Sequence, residues 1–345
     1  MKILVIGGTG FIGTPVVARL VDAGHDVAVF HRGETNSNLP PSIRHILGNR
    51  RELSGFMKEF EQFAPQVVLD MMPYVEQDAV AVMQAFRGIA RRVVAISSQD
   101  VYRTYGILWR RETGEPNLTP ISEDAPLRSV LYPYRPLAEG ADDFKYNYDK
   151  IPVERVFMGD PEGLPGTILR LPAVYGVGDR KHRWFEIIKR MDDRRPFFLF
   201  EKDYAKWRWT RGYIENIADA IALAATDERA SSRIYNVGEP DTLTETEWVQ
   251  SIAQIVGWKS EIIAVPNETL PEHLKGITGF EHDLFVDTSR IRKDLGYEEK
   301  VSRSEALLRT IEWERANPPA EIDPKQFNYA AEDAAFEALK GNNRI

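Results

Sequence analysis

Residues 2–13 read KILVIGGTGFIG, a nearly continuous apolar run that passes directly into a glycine-rich loop. Apart from Lys2, residues 2–6 are apolar, which is typical of a strand that is buried on both faces of a parallel sheet. Glycines follow at 7, 10 and 13, and apolar residues then recur at helical spacing from 12 to 20, before Gly24. A strand, a glycine loop and a helix in this order predict a dinucleotide-binding turn, because the helix N-terminus offers free N–H groups to a pyrophosphate.

Short β-branched and aromatic runs alternate with helical patterns through the first half of the chain. This alternation predicts an α/β fold with a Rossmann, doubly wound parallel sheet. Segments rich in aromatic residues and proline, at 176–230 and 238–289, predict a smaller, mostly C-terminal α/β substrate lobe. We therefore expect a dinucleotide-binding domain at 1–175, with a later sheet strand near 232–238, and a mainly substrate-binding lobe with a C-terminal tail at 176–345. The predicted strands cover 2–7, 26–30, 43–47, 67–70, 93–97, 167–171 and 234–237.

The composition argues against several functional classes. The net charge is −8 with no basic block, so we expect no nucleic-acid partner. The sequence has no cysteine, which excludes disulfides and thiolate chemistry, and its six histidines lack the spacing of metal ligands, so we expect no metal. No apolar run approaches the ~18 residues of a membrane span. The first predicted strand begins at Lys2, so we expect no signal peptide ahead of it and a soluble, cytoplasmic protein.

The end of the second predicted strand indicates which dinucleotide binds. Residues 30–33 read FHRG, with no carboxylate before Glu34. A carboxylate at this position binds the ribose 2′-hydroxyl of NAD, whereas an arginine accommodates the 2′-phosphate of NADP. Arg32 can pair with a phosphate through two N–H groups, and His31 does not repel it. The sequence therefore favours NADP. NAD is the alternative, with Arg32 then a solvated loop residue.

Five further motifs follow the glycine loop: GNR at 48–50, SSQDVY at 97–102, YNYDK at 146–150, LRLPAVYG at 169–176 and YIENIA at 213–218. Their order and spacing resemble the extended short-chain dehydrogenase/reductase family, the NAD-dependent epimerase/dehydratase type, over most of the chain. The resemblance implies a nicotinamide cofactor and a homodimer. Together with the loop, it assigns to the cofactor Gly7, Thr9, Gly10, Phe11, Ile12, Gly13, His31, Arg32, Asn49, Arg50, Asp70, Met71, Met72, Ser97, Tyr146, Lys150, Pro172 and Val174.

The predicted catalytic set is Ser98, Tyr146 and Lys150. Tyr146 and Lys150 are four residues apart, so on one continuous helix they would share a face. A tyrosine hydroxyl titrates near pH 10, so about 4 kcal/mol of phenolate stabilisation is needed near neutrality. The lysine ammonium and the nicotinamide ring supply charge of the right sign. In the family this lysine also binds the nicotinamide ribose and the serine holds the substrate oxygen. The expected reaction is hydride transfer at a carbinol or carbonyl carbon, with Tyr146 moving the proton.

The chain departs from the family pattern around this set. Pro152 inside a helix would clash with the carbonyl of Tyr148, so we expect a kink or a local irregularity there. Tyr148 offers a second hydroxyl, although at the wrong spacing from Lys150. Gln99-Asp100 replaces the acid pair of the family's 4,6-dehydratases, which disfavours water elimination. The stretch between the serine and tyrosine motifs, 103–145, is longer than usual and is either a surface loop or a substrate lid.

The predicted substrate is a small, sugar-like molecule, with a nucleotide-linked sugar as one form. Its predicted contacts are Ser98, Gln99, Asp100, Arg208 and Arg211, the two arginines lying near a segment that grips a diphosphate in nucleotide-sugar members. An epimerase and an oxidoreductase both remain open. An NADPH-dependent reductase of a non-sugar ketone or aldehyde is one alternative. A non-catalytic or RNA-associated member is another, because some such members also end strand 2 in Arg-Gly.

Overall fold

The computed structural model describes residues 1–35, 38–275 and 280–341, which divide into two units. The first unit contains 1–174, 211–240 and 286–301. The second contains the described parts of 175–210, 241–285 and 302–345. The segments 211–240 and 286–301 thus pack with the dinucleotide-binding unit, although the sequence assigned most of the chain beyond 175 to the second lobe.

The strands are β1 (Lys2–Ile6), β2 (Asp26–His31), β3 (Arg44–Leu47), β4 (Val67–Asp70), β5 (Arg92–Ser98), β6 (Gly166–Leu171), β7 (Ala173–Tyr175), β8 (Phe197–Glu201), β9 (Arg211–Tyr213), β10 (Ile234–Asn236) and β11 (Glu261–Val265). The α-helices are α1 (Gly13–Asp22), α2 (Met57–Phe63), α3 (Glu76–Phe86), α4 (Arg103–Leu108), α5 (Phe144–Asn147), α6 (Lys150–Phe157), α7 (Phe185–Asp192), α8 (Lys202–Lys206), α9 (Ile214–Thr226), α10 (Glu245–Val256), α11 (Ser289–Leu295), α12 (Arg303–Ala316) and α13 (Tyr329–Gly341).

The first unit is built on a seven-stranded parallel sheet in the order β10-β6-β5-β4-β1-β2-β3. The register pairs Leu4 of β1 with Ala28 of β2 on one side and with Val68 of β4 on the other. The chain reverses its direction of strand addition between β1 and β4, which creates a crevice at the carboxyl ends of these strands. The predicted Rossmann, doubly wound sheet is confirmed.

Helices pack against this sheet through apolar faces. α1 buries Val16, Val17 and Leu20, and it lies next to α9, where Arg19 forms ion pairs with Glu215 at 3.1 Å and Asp219 at 3.0 Å. α3 lies next to α6. A core cluster joins residues from β1, β2, β4, α2, α3 and α6, including Leu4, Phe30, Phe60, Val68, Phe86 and Phe157. The sheet and its flanking helices therefore share one buried apolar core.

The second unit is smaller and contains a parallel two-stranded sheet of β8 and β11. Its core includes Phe197, Ile263 and Leu270, and Leu339 of α13 packs into it. An ion pair of 3.2 Å between Arg190 and Glu332 also joins α13 to α7. Among the described residues, no helix combines the length and the apolar character needed to span a bilayer.

Candidate active site

The glycine loop leaves the N-terminus of α1 open to an anion. Gly7 has a left-handed φ of +83°, and its N–H donates to the carbonyl of Phe30 at 3.0 Å. A Cβ on Gly13 would lie 2.8 Å from the backbone of Gly8, so only glycine lets α1 approach the loop this closely. No side chain caps α1, and a Cβ at Gly10 would meet no protein atom within 4 Å. These features fit a dinucleotide pyrophosphate.

The residues at the end of β2 have partners within the protein. The Arg32 guanidinium pairs with Glu34 at 2.9 Å, and both side chains are exposed. His31 Nε2 lies 2.8 Å from His45 Nδ1, and the N–H of Gly33 donates to His31 Nδ1. Burial and the proximity of His45 lower the pKa of His31, so a positive charge on His31 is disfavoured near neutrality. A cofactor phosphate at this site would compete with Glu34 for Arg32.

The predicted contacts after β3 and β4 form a tight cluster with each other. Arg50 donates to both carboxylate oxygens of Asp70, at 3.0 and 2.9 Å, and to the carbonyl of Met72 at 2.6 Å. A further ion pair of 3.1 Å joins Arg50 to Asp78. Although burial disfavours the charge, the two carboxylates raise the pKa of Arg50. Asp70 is fully buried and accepts from the N–H of Met72 at 3.1 Å, which holds Met72 against Gly7 of the glycine loop.

Two neighbouring residues of this segment have simpler environments. The side chain of Asn49 accepts from the N–H of Arg51 and caps the short helix that follows β3. Met71 is buried, and its N–H donates to the carbonyl of Ile6 at the end of β1. Any contact of these residues with a cofactor stays a prediction.

The expectation that Tyr146 and Lys150 share one helix is wrong. α5 ends at Asn147, Tyr148 and Asp149 are extended, and α6 begins at Lys150. Pro152 explains the break, because it has no N–H to donate to the Tyr148 carbonyl and its ring would collide with that carbonyl in a continuous helix. Asp149 instead caps α6 by accepting from the N–H of Ile151 at 2.9 Å. Pro152 then occupies the first turn, where proline is tolerated.

Asp149 also anchors the break to the rest of the unit. Its carboxylate pairs with Arg128 at 3.0 Å, both side chains being almost fully buried, and accepts from the N–H of Tyr132 at 2.6 Å. Arg128 donates further to the carbonyls of Asp100 and Val130. These contacts tie residues 128–132 of the segment 103–145 to the start of α6.

Lys150 is held between two strands of the sheet. Its ammonium donates to the carbonyl of Pro73, just after β4, at 2.8 Å and to the carbonyl of Ile96 in β5 at 3.0 Å. Burial lowers the pKa of Lys150 to about 8, although Asp100 and Asp70 oppose this shift. Its nitrogen lies 5.2 Å from the ring centre of Tyr74 and 5.7 Å from that of Tyr148. A buried cation therefore lies at the carboxyl ends of β4 and β5.

Tyr146 and Tyr148 have different surroundings. The hydroxyl of Tyr148 donates to Asp100 Oδ2 at 3.1 Å. The Tyr146 ring instead lies under the guanidinium of Arg135, 4.6 Å from its centre, and the Tyr146 carbonyl accepts from Arg135 Nε. Within the described part of the chain, the Tyr146 hydroxyl has no hydrogen-bond partner. Of the two tyrosines in the YNYDK motif, Tyr148 is the one that contacts Lys150.

Asp100 is the acceptor at the centre of a tyrosine cluster. Tyr134 also donates to Asp100 Oδ2 at 3.1 Å, and the hydroxyls of Tyr134 and Tyr105 are 2.6 Å apart. Burial raises the pKa of Asp100, against the opposing charges of Arg128 and Lys150. Burial also raises the pKa of Tyr148 well above its usual value, and Asp100 adds to this shift.

Ser98 ends β5 at the same edge, and its hydroxyl oxygen accepts from the N–H of Asp100 at 3.2 Å. Gln99 is buried, and its amide donates to the carbonyl of Val237. Ser97, predicted to bind the cofactor, instead donates its hydroxyl to Glu154 at 2.5 Å inside the core, where Glu154 also binds Arg170 through both oxygens. Successive residues of a strand point to opposite faces of the sheet, so Ser97 and Ser98 point in different directions. The Ser97 hydroxyl belongs to a hydrogen-bond network inside the core.

The remaining predicted contacts are spread over both units. Pro172 and Val174 follow the end of β6, and Val174 is buried. Arg211 begins β9 in the first unit and is buried. Arg208 belongs to the second unit, where it is exposed, its N–H donates to Asp283 and its guanidinium lies 6.0 Å from the ring of Phe285. The substrate role of both arginines stays a prediction.

Sequence reasoning missed Arg128, Tyr105 and the partners of Tyr134, because their relation to Asp100 depends on contacts across 28 to 34 residues. The position of Pro152 was the one local signal that separated Tyr146 from Lys150. Among the described residues, no group of three or more histidine, aspartate or glutamate side chains is arranged to hold a metal ion.

Comparison with known proteins agrees with this architecture. The model of the NAD dependent epimerase/dehydratase family matches residues 3–238. The chain is 25% identical to a 2′-dehydrokanamycin reductase from Streptomyces kanamyceticus, covering 88% of this chain and 80% of the relative. It is 25% identical to a UDP-N-acetyl-alpha-D-glucosaminuronate decarboxylase from Bacillus cytotoxicus, over 91% and 98% of the two chains. A UDP-glucose 4-epimerase from Thermotoga maritima, solved with UDP-glucose, superposes with a TM-score of 0.66 at 19% identity, over 92% and 99%.

The fold, the glycine loop and the polar cluster at the sheet edge define a dinucleotide-dependent enzyme of the Rossmann class. The chain belongs to the NAD-dependent epimerase/dehydratase family. The predicted family, the extended short-chain dehydrogenase/reductase type, is confirmed, and so is the prediction of an enzyme that uses a nicotinamide cofactor.

Proposed function

We propose that the chain transfers a hydride between a nicotinamide dinucleotide, NADP(H) in preference to NAD(H), and a carbinol or carbonyl carbon of a sugar-like substrate. The observation that carries this proposal is the cluster of Ser98, Asp100, Tyr148 and Lys150. These groups can bind an oxygen and move a proton, which hydride transfer at a carbon–oxygen bond requires. They lie at the carboxyl ends of the strands, where ligands of doubly wound sheets bind.

The glycine loop and the N-terminus of α1 would hold the pyrophosphate of the cofactor, and Arg32 would hold the 2′-phosphate of NADP. The nicotinamide ring supplies the hydride acceptor or donor when it is bound. Ser98 would hold the substrate oxygen, because its hydroxyl oxygen accepts from the N–H of Asp100 and its proton can still be donated. Lys150 keeps a positive charge near this point and has one N–H beyond the two that bind carbonyls.

A tyrosine close to Lys150 would exchange the proton with the substrate oxygen. The YxxxK pattern assigns this task to Tyr146, and that assignment stays a prediction. The ring of Tyr148 is the one that lies 5.7 Å from the Lys150 ammonium. Both residues are therefore candidates for this proton transfer.

The relatives support the sugar-like character of the substrate. Two of the three are named for UDP-linked sugars and one for 2′-dehydrokanamycin. The reductase in this set supports an enzyme that exchanges its cofactor in each turnover, whereas an epimerase oxidises and re-reduces its substrate with the cofactor kept bound. Arg208 and Arg211 are the proposed contacts for an anionic group, since guanidinium groups bind phosphates through paired N–H donors.

Two measurements test the proposal. Mass spectrometry of small molecules released from the purified protein identifies a retained dinucleotide and any retained metabolite. Absorbance at 340 nm then follows NADPH or NADH with a panel of keto sugars and one non-sugar ketone, and chromatography follows UDP-glucose incubated without added cofactor. Oxidation of NADPH by a keto sugar supports a reductase, and conversion of UDP-glucose to UDP-galactose supports an epimerase.

Lys150→Met is the variant that ties the activity to this site. It should lose both cofactor affinity and rate, because the buried ammonium and its charge are removed. If the wild-type protein binds neither NADPH nor NADH at millimolar concentration, the proposed function is wrong. Turnover of the non-sugar ketone alone would transfer the proposal to the non-sugar alternative.

A further inference from the structure

The break between α5 and α6 places Tyr148, and not Tyr146, beside Lys150. Because Tyr148 and Asp149 are extended, Tyr148 points its hydroxyl at Asp100, 3.1 Å away, and lies beside Lys150. Tyr146 belongs to the preceding helix, where Arg135 covers its ring. The tyrosine beside the lysine is also the one connected to a carboxylate.

We propose that Tyr148 exchanges the proton with the substrate oxygen, and that Asp100 takes up the proton that Tyr148 releases. This inference rests on the proposed hydride-transfer function. It differs from the family's tyrosine–lysine arrangement, because the acceptor behind the tyrosine is a carboxylate and the tyrosine stands two residues before the lysine. Asp100 acts through Tyr148 and is a positioning residue in this scheme.

The proton and hydride transfers balance in this arrangement. During oxidation of an alcohol, the substrate carbon gives its hydride to the bound nicotinamide and the substrate O–H bond breaks. The substrate proton moves to the Tyr148 oxygen while the former Tyr148 proton moves to Asp100 Oδ2. A carbon–oxygen double bond forms, Tyr148 stays neutral and Asp100 becomes a neutral acid. Reduction of a carbonyl runs through the same transfers in reverse.

The electrostatics of the cluster favour a transfer in which no free phenolate forms. Burial and Asp100 raise the pKa of Tyr148 well above its usual value, so an isolated phenolate is costly there. Burial raises the pKa of Asp100, which makes this carboxylate a stronger base than an exposed aspartate. Oδ1 of Asp100 is buried and has no hydrogen-bond partner among the described groups, so the carboxylate has unused acceptor capacity.

The charged and titratable groups around Asp100 come from four segments. Lys150 stands at the start of α6, and Arg128 binds the main-chain carbonyl of Asp100. Tyr134 donates to the same oxygen as Tyr148, and Tyr105 of α4 bonds to Tyr134. The charges of the two cations favour the ionised form of Asp100 against the effect of burial, and the tyrosines supply neutral donors. Asp100 therefore has hydrogen-bond donors as a carboxylate, and Tyr134 can still donate to it after it accepts the proton of Tyr148.

The first test needs no substrate. The full-length protein is labelled with ¹³C at tyrosine Cζ, and the Tyr148 resonance is assigned by its loss in Tyr148→Phe. We expect this resonance to stay at the neutral-phenol position up to about pH 10, the usual tyrosine pKa, and to make a small step at lower pH as Asp100 is protonated. Asp100→Asn should abolish the step. Ionisation of Tyr148 below about pH 9, or a step that persists in Asp100→Asn, overturns the proposal.

The second test measures turnover with the panel compound that oxidises NADPH fastest. Tyr148→Phe should lower kcat about 100- to 10,000-fold, the range of general acid–base catalysis, with NADPH affinity changed less than threefold. Tyr132→Phe, which removes a tyrosine hydroxyl from the neighbouring segment 103–145, is the matched control. Asp100→Asn should lower kcat and, with NADP+ and the alcohol product of this compound, flatten the acid limb of the pH profile for oxidation, an effect that a merely structural role would not produce.

The outcomes separate the two proposals. A large loss of kcat in Tyr146→Phe with near wild-type turnover in Tyr148→Phe overturns the inference and leaves the hydride-transfer function intact. A wild-type protein that oxidises neither NADPH nor NADH with any member of the panel and does not convert UDP-glucose overturns the proposed function, and the inference with it. Thermal melting and NADPH binding of each variant distinguish a catalytic loss from misfolding.

Discussion

At the end of β2, Arg32 is both the residue proposed to select NADP and a residue with a partner of its own. Arg32 forms an ion pair of 2.9 Å with Glu34, and both side chains are exposed. Solvent therefore weakens the attraction between the two charges. A 2′-phosphate carries more charge than a carboxylate and can replace Glu34 at the guanidinium. Cofactor selection at this site is therefore a competition between a phosphate and Glu34 for Arg32.

The competition predicts opposite effects of two substitutions. Arg32→Ala should weaken NADPH binding about 10-fold, the lower end for a charge-assisted phosphate contact because the site is exposed, with NADH binding nearly unchanged. Glu34→Gln should strengthen NADPH binding up to about fivefold, since an exposed ion pair is worth at most about 1 kcal/mol. Fluorescence titrations at fixed salt measure both. Equal wild-type affinity for NADH and NADPH would show that Arg32 is a bystander.

Lys150 makes a pH-dependent contribution to stability. Burial lowers its pKa from 10.5 to about 8, so between these values the folded chain has released a proton that the unfolded chain still holds. The free energy of unfolding of the wild type should therefore rise with pH in this window relative to Lys150→Met, by about 1–3 kcal/mol. Urea unfolding of both proteins between about pH 7 and 10.5 measures the difference. Parallel curves would mean that the Lys150 pKa is not shifted.

At the scale of elements, the short break between α5 and α6 is the feature that shapes the site. Pro152 prevents one continuous helix, and Asp149 supplies the cap that starts a new one. The two residues between the helices then adopt extended backbone, which turns Tyr148 towards Asp100. A change of only a few backbone dihedrals decides which tyrosine meets the lysine.

Two helix caps in this region allow a matched test of its stability. Asp149→Ala removes the cap of α6 and also leaves the buried Arg128 guanidinium without its carboxylate, so we expect a loss of about 3–5 kcal/mol in the free energy of unfolding. Asp143→Ala removes the cap of α5, made to the N–H of Lys145, together with exposed contacts to the N–H of Glu139 and the Lys145 ammonium, and should cost much less because water replaces them. Denaturant titration compares them. Similar losses would mean that the Arg128 pair does not stabilise the break.

At the scale of the whole molecule, the sequence segments and the structural units do not coincide. Segments 211–240 and 286–301 return to the first unit after the chain has entered the second, and they contribute β9, α9, β10 and α11. α9 packs against α1, directly behind the glycine loop. The stability of the cofactor-binding unit therefore depends on residues from late in the chain.

The oligomeric state is a prediction by family analogy. We expect a homodimer, because members of this family commonly pair through the helix that carries the YxxxK motif and its neighbour. In this chain that helix is divided into α5 and α6, so the pairing surface has to be formed by two short helices. Sedimentation at micromolar concentration measures the mass, and a single species of 39.3 kDa would contradict the dimer.

The sequence by itself determined the Rossmann sheet, the glycine loop and the family. These features are local: an apolar run of four residues, 3–6, predicts a buried strand, and glycines at fixed positions matter for backbone reasons that do not depend on distant partners. Pro152 likewise signalled an irregular helix from its own position. The sequence therefore predicted the features that depend on short-range backbone effects between neighbouring residues: strands, glycine turns and a helix break.

The tertiary structure alone decided which groups meet at the site. Lys150 is fixed by carbonyls 54 and 77 residues away, and Tyr148 bonds to an aspartate 48 residues away. Ser97 and Ser98 are adjacent, yet one hydroxyl enters the core and the other stays at the sheet edge. Such pairings depend on which strands lie side by side and on the face to which each side chain points. The spacing of residues in the sequence determines neither the strand order nor these directions.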